Sequence, residues 1–302
     1  MVVRHIRSNI STPDDLCLPE VLKTLVMGHN GLVLFVGSTG SGKSTSMASL
    51  IQYRNERHYG HILTIEDPIE YTFSHGKSIV GQREVGFDTL SYATAMREAM
   101  REAPDMIMVG EARDAETMEA VLGFADTGHL VISTLHAINV IQALERILYL
   151  FSTESKSRVL MDLSLNLRGI VAQRLIPSED GDTLHLAAEV LVNTPYAAEL
   201  IRKGQFNELS EVIEKGSSDG MVSFDQSLDQ LYREKKISKS SALEYATSRN
   251  NLEWQINFGK GNGFSGDPYQ DNEKTVYEKV IESSSKDKDR LENDRTGLPA
   301  VV

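Results

Sequence analysis

Eight consecutive residues, Gly37-Ser-Thr-Gly-Ser-Gly-Lys-Ser44, have the spacing G-x-x-x-x-G-K-[ST]. Glycine at positions 37, 40 and 42 lets the backbone turn its N–H groups inward, where they can hold phosphate oxygens. Lys43 offers positive charge to β- and γ-phosphates, and the Ser44 hydroxyl is a hard oxygen donor for Mg²⁺. With Thr45, the candidate nucleotide-binding set is Gly37, Ser38, Thr39, Gly40, Ser41, Gly42, Lys43, Ser44 and Thr45, and ATP with Mg²⁺ is the expected ligand. A chance Gly/Ser loop is the plain alternative. It would not require the buried strand that the apolar run 31–36 predicts before the loop, nor the helix predicted over 44–53 after it.

Hydrolysis needs an acid that orients or deprotonates water and another that holds the metal, directly or through water. Glu111 follows the apolar run Met106-Ile-Met-Val109, in the place for the metal-side acid. Glu66, Asp67 and Glu70 follow a second apolar run, 61–65. Both groups therefore sit where strand ends converge on a nucleotide crevice, although acids in such loops also cap helices. His129 and His136 flank the run 130–134 and are candidates for sensing the γ-phosphate or for signalling between subunits; each also fits as an ordinary surface or packed histidine. Arg83, Arg97, Arg101 and Arg113 are candidates for stabilising transition-state charge, Arg97 and Arg101 being spaced to share a helix face. Solvated surface arginines are the alternative for each.

These residues need a scaffold that brings strand ends together. Apolar runs at 31–36, 61–65, 106–109 and 130–133 alternate with helical stretches at 44–53, from an N-cap at Asp88 or Thr89 to 102, at 115–125 and at 139–150. That alternation predicts an α/β fold, a doubly wound, mainly parallel sheet with helices on both faces. Beyond Phe151 the pattern changes to one long helix over 155–175, a strand over 184–192, and helices over 195–202, 208–215, 224–234 and 238–247. We expect a mainly helical C-terminal subdomain packed on the sheet. From Gly259 the chain is rich in Gly, Ser, Asp and Lys and reads as a disordered tail.

At 302 residues, 40% hydrophobic and 25% charged, the chain has ordinary globular composition. A net charge of −12 disfavours nucleic acid as a general partner. One cysteine, Cys17, can form neither an internal disulfide nor a four-cysteine zinc site, which fits a reducing cytoplasm. Residues 1–10 lack the apolar core of a signal peptide, and no run reaches the roughly 20 apolar residues of a membrane span.

Several stretches in order resemble the PilT/PilU group of the secretion-ATPase superfamily. They are the loop 37–45, Thr-Ile-Glu-Asp-Pro-Ile-Glu (64–70), Gln-Arg-Glu-Val (82–85), Arg-Glu-Ala-Pro-Asp-Met-Ile-Met-Val-Gly-Glu-Ala-Arg-Asp (101–114) and Thr-Gly-His-Leu-Val-Ile-Ser-Thr-Leu-His (127–136). The resemblance runs from about His5 to Lys260 and implies a RecA-like P-loop NTPase with a Walker A loop, an Asp box, a Walker B strand and a His box. It makes Glu70 the Asp-box catalytic carboxylate, Glu111 the Walker B acid, and His129 and His136 the His-box pair. It also implies a hexameric ring, homomeric or mixed with a paralogous PilT-type motor, at the cytoplasmic base of a pilus machine. There the ring would act on an inner-membrane platform protein to retract type IV pili and drive twitching motility.

The family's N-terminal PAS-like domain is expected to be largely absent, with residues 1–19 as its linker, 20–195 as the ATPase core, 196–258 as the helical subdomain and 259–302 as the tail. The Ala-Ile-Arg motif of PilT is not matched, since the chain reads Pro195-Tyr-Ala-Ala-Glu-Leu-Ile-Arg202; this and Asn251-Leu-Glu-Trp-Gln-Ile-Asn-Phe-Gly259 resemble the accessory PilU type more. The competing functions are a nucleotide-binding assembly module with little turnover, a pilus-extension or type II secretion ATPase, and a DNA-translocating motor. A single cysteine argues against the zinc insertion of the extension and secretion motors, and the acidic balance argues against the DNA motor.

Overall fold

Among the described residues the expected strands, joined by two that the sequence does not signal, build a single sheet of seven: β1 (Gly31–Val36), β2 (Gly60–Glu66), β3 (Ser78–Glu84), β4 (Met106–Val109), β5 (Leu130–Leu135), β6 (Leu167–Pro177) and β7 (Leu184–Val192), the two unsignalled being β3 and β6. The structure is a computed structural model that describes residues 6–258; the tail expected from Gly259 lies outside the described residues. The chain divides into two units, Met1–Ile256 and Asn257–Val302, and the sheet belongs to the first. Strand order is β3-β2-β4-β5-β1-β6-β7. Every neighbouring pair is parallel except β6 and β7, which close the sheet as an antiparallel pair. This is the doubly wound, mainly parallel α/β sheet expected from the sequence.

Alternation along β1 divides the interior in two. Leu32, Leu34 and Val36 face a core shared with helices α3 (Tyr92–Ala99), α4 (Ala115–Asp126) and α5 (Val140–Leu150). Val33 and Phe35 face a second core with α1 (Val21–Val26) and the P-loop helix α2 (Lys43–Arg57). Each fully buried side chain of this kind contributes about 1.5–3 kcal/mol, so the strand carrying the phosphate loop is among the firmest parts of the molecule. The helix after that loop is anchored at its far end. Arg54, 1% exposed, donates from Nη1 to Val26 O at 2.7 Å and Gly28 O at 2.8 Å, satisfying carbonyls at and beyond the end of α1.

Side-chain caps set where several helices begin. Asp114 accepts from Thr117 N at 2.8 Å and Asn139 from Gln142 N at 2.8 Å. The helix before β4 starts later than expected, because Ser91 accepts from Thr94 N while Asp88 turns back to accept from Glu84 N. A larger correction concerns the single helix expected over 155–175. Helix α6 (Lys156–Asn166) ends and β6 follows, because β-branched Ile170 and Val171 favour an extended chain and β6 is inserted between β1 and β7, where a Cβ on Gly169 would lie 2.7 Å from Leu191 O. A strand buried on both faces shows no alternation and is easily read as part of a buried helix.

The later helices α7 (Pro195–Lys203), α8 (Leu209–Lys215), α9 (Phe224–Arg233), α10 (Lys239–Tyr245) and α11 (Arg249–Phe258) place Leu200, Ile201, Leu209, Phe224, Leu228 and Leu252 in the core that also holds Leu34. Arg174 on β6 ties them to the sheet. It donates to Tyr245 O at 2.7 Å, and its guanidinium lies 4.0 Å from the centroid of the Phe224 ring.

Candidate nucleotide site

Parallel register brings the chemistry to one edge. Val36 pairs with Leu135, Val109 with Ser133 and Ile65 with Val109. The residues that follow these strands, Gly37, His136, Glu111 and the loop 67–70, therefore emerge side by side. Cross-strand bonds lock the arrangement: Gly110 N donates to Ile65 O at 2.8 Å, and Thr134 Oγ1 donates to Gly110 O at 2.6 Å. Gly110 is small for a reason, since an added Cβ would lie 3.0 Å from the Tyr92 hydroxyl and 3.3 Å from Ile65 O.

The phosphate loop adopts conformations that favour glycine. Gly40 and Gly42 have φ of 80° and 90°. A Cβ on Gly37 would collide with Ser41 Oγ and come within 2.7 Å of Gln173 O, whereas the space beside Gly40 is open. Lys43 Nζ donates to Gly37 O at 2.8 Å and Ser38 O at 2.9 Å. Burial pulls the pKa of its ammonium below the ordinary value, and the negative charges of Glu111 and Glu70 oppose that fall. Both proposed acids thus act electrostatically on this lysine.

Glu111 is 14% exposed and held at both oxygens. Arg113 Nε donates to Oε2 at 2.6 Å, and His136 Nε2 lies 3.1 Å from Oε1. The carboxylate raises the pKa of Arg113 above its ordinary value. Ser44 and Glu111 supply hard oxygens at this edge and Gly40 leaves room for phosphate, so the residues fit a Mg²⁺-nucleotide.

Glu70 lies in a loop that neighbouring side chains hold along its length. Glu84 accepts from Ile69 N at 3.0 Å; Gln82 accepts from Phe73 N at 2.9 Å and donates to Tyr71 O at 2.8 Å. Buried Glu66 accepts from Thr64 Oγ1 at 2.7 Å, and burial raises its pKa against the bonds from Thr64, Gln82 and the backbone of Glu70. Within Gln82-Arg83-Glu84 the sequence directs attention to the arginine, yet its two neighbours hold the loop. Successive strand residues point to opposite faces, so Arg83 points away and bonds Glu98 at 3.1 Å and Glu102.

Two further candidates are not brought to the loop. His129 precedes β5 and lies at the opposite end of that strand from His136. Its Nδ1 is 3.2 Å from Phe124 O and 3.1 Å from Thr127 Oγ1, and its ring meets Phe124 edge-on. Within this chain it closes the end of α4 rather than facing the phosphate loop. Arg97, on α3, donates to Thr94 Oγ1 at 3.4 Å on an exposed face. Arg101 is exposed in the turn after α3, outside the Glu111 cluster. Of the four arginines, Arg113 is the one that touches a candidate acid.

Sequence reading missed Tyr92, whose phenol packs beside Gly110 and has its pKa pushed up to about 12 by burial, with Asp67 adding to the rise. It also missed two clefts bordering the loop. One of about 520 Å³ lies between residues 37–41 and Gln173, Tyr245 and Ala246. The other, about 290 Å³, sets Gly42 and Thr45 against the apolar side chains of Leu16, Leu175, Leu186 and Leu231. Neither produces a local motif, because each joins segments far apart in the chain.

Residues 13–254 match the family described as "Type II/IV secretion system protein". The type IV pilus ATPase PilU of Pseudomonas aeruginosa is 51% identical over 259 residues, covering 86% of this chain and 68% of the relative. The type IV pilus retraction ATPase PilT of the same organism is 41% identical, covering 81% of this chain and 71% of the relative. A crystal structure of the pilus retraction motor PilT with bound ADP superposes with a TM-score of 0.77 at 42% identity, covering 83% of this chain and 71% of that one. A nucleotide-binding P-loop site on a doubly wound sheet defines the class. The chain belongs to the Type II/IV secretion system protein family and, within it, to the ATPases of the PilT/PilU group.

Proposed function

We propose that the chain hydrolyses ATP and couples turnover to type IV pilus retraction and twitching motility, as an accessory motor of the PilU kind. The observation that carries this reading is Lys43, half-buried at the mouth of the phosphate loop, where its ammonium bonds the Gly37 and Ser38 carbonyls and feels the negative charges of Glu111 and Glu70. In the proposed reaction Lys43 exchanges the Gly37 and Ser38 carbonyls for β- and γ-phosphate oxygens, while the loop amides hold the rest of the triphosphate. The base occupies the apolar slot beside Thr45. Glu70 accepts a proton from the attacking water as the new O–P bond forms and the β–γ bridge breaks, giving ADP and phosphate. Glu111, aligned by Arg113 and His136, faces the same phosphate. Ser44 and, through water, Glu111 would hold Mg²⁺, which would supply charge neutralisation at the phosphates.

The motor works as an oligomer, a homo-hexamer or a mixed ring with a PilT-type paralogue, acting on an inner-membrane platform protein from the cytoplasmic side. In that ring we assign His129 to signalling between subunits and Arg83, Arg97 and Arg101 to charge stabilisation, with residues 1–19 as the linker and 196–258 as the helical subdomain. Among the described residues no helix is long and apolar enough to cross a membrane.

Phosphate release by the parent chain, Glu70→Gln and Glu111→Gln, measured beside ADP affinity, tests the reading. Steady release that falls roughly 100-fold or more in each variant with ADP affinity retained is expected. Tight ADP binding with no phosphate release by the assembled parent overturns turnover and leaves a nucleotide-binding assembly module in its place.

A further inference from the structure

The Tyr71 side chain, next in sequence to Glu70, leaves the Glu70 loop and reaches the Walker A helix. Its hydroxyl lies 2.9 Å from Thr45 Oγ1, one residue beyond Ser44, and the side chain is only 7% exposed. On the other side Arg7 Nη1 donates to the same hydroxyl at 3.4 Å. The Arg7 backbone brackets the tyrosine: Arg7 N donates to Glu70 O at 3.1 Å, Thr72 N donates to Arg7 O at 3.0 Å, and Arg7 and Tyr71 form an isolated parallel bridge. A segment from the N-terminal end of the chain is thus laid along the backbone that carries Glu70, and one phenol joins that backbone to the phosphate loop's helix.

We infer that Tyr71 is a positioning residue: its bond to Thr45 fixes the distance between Glu70 and the Walker A loop, and the N-terminal segment sets that distance through Arg7. The inference rests on the reading of Glu70 as the base. Glu70 sits on an irregular loop, so where its carboxylate lies relative to a water at the γ-phosphate depends on where residues 70–72 are held. Gln82 and Glu84 fix the loop to the neighbouring strand β3, but among these contacts only the tyrosine fixes it to the element that holds the triphosphate. A shift of the N-terminal segment would therefore move the carboxylate relative to bound ATP without disturbing the loop amides or Lys43. The signature is a change in turnover without a change in binding.

The test compares Tyr71→Phe, Thr45→Val, the double variant and Arg7→Pro, which deletes the N–H that Glu70 O accepts, with Glu70→Gln as reference. Tyr71→Phe and Thr45→Val are each expected to lower kcat roughly five- to tenfold, and Tyr71→Phe is expected to keep KM for ATP and Kd for ADP within about twofold of the parent. The double variant should be no slower than either single one, because both remove the same bond. Arg7→Pro should lower kcat in the same way. Parental kcat in Tyr71→Phe, a loss confined to KM, or multiplying losses in the double variant overturns the inference, and parental kcat in Arg7→Pro overturns the part assigned to the N-terminal segment. If Glu70→Gln turns over like the parent, it is the assignment of the base that fails. In a preparation without turnover, amide hydrogen exchange over 66–73 decides: faster exchange in Tyr71→Phe and Thr45→Val supports the link, and parental exchange in both overturns it.

Discussion

Arg113 Nε and Glu111 Oε2 lie 2.6 Å apart, two positions removed in sequence and at the same edge of the sheet. The arginine is 62% exposed and the carboxylate 14%. A charge-assisted bond of this length competes with any other cation for the same oxygen. Removing the guanidinium leaves Glu111 a stronger partner for Mg²⁺. Arg113→Ala is expected to lower the Mg²⁺ concentration that gives half-maximal ADP binding by about threefold or more, read by titrating the metal against a fluorescent ADP analogue. An unchanged or higher midpoint would mean that the contact does not restrain the acid.

The two histidines separate cleanly. His136 touches Glu111, whereas His129 bonds Phe124 O at the other end of β5. His129→Ala is expected to cost about 1 kcal/mol, lowering Tm by a few degrees for a domain of this size, with ADP affinity within about twofold of the parent. His136→Ala should leave Tm near parental and lower turnover. The reverse pattern, with ADP affinity lost in His129→Ala, would place that histidine at the nucleotide.

Glu189 on β7 accepts from Val140 N at 2.8 Å, holding the start of the helix that follows His136. Burial raises its pKa above 4.5, against the Val140 bond and the charge of Arg174. A carboxyl with a raised folded pKa stabilises the fold fully below its unfolded value and loses that contribution as pH rises through the folded value. Gln does not ionise. The Tm difference of Glu189→Gln relative to the parent should therefore move in the variant's favour between about pH 4 and pH 8. A difference that moves the other way would mean that the Arg174 charge outweighs burial.

Much of this site is readable in the sequence because its parts are local. A phosphate loop needs glycines and a lysine at fixed spacing, and a buried parallel strand is an apolar run, so Gly37–Ser44, Glu111 and His136 can be placed at strand ends from residue order alone. What escapes depends on direction or distance. Arg83 stands out over Gln82 and Glu84 because a strand's facing cannot be read from a short polar stretch at the sheet edge. Gly169, Ile170 and Val171 read as helix because β6 is buried on both faces. Tyr92 and the bond between Thr45 and Tyr71 join segments that meet only when the sheet is assembled.

Everything the motor does depends on Lys43 and the loop amides holding a triphosphate. Equilibrium binding of labelled ATP with Mg²⁺ to the parent chain and to Lys43→Ala measures this directly. The parent should retain nucleotide, and the variant should lose affinity by about 100-fold or more with unchanged Tm in the absence of ligand. Equal binding by both chains, or none by a folded parent, would contradict it.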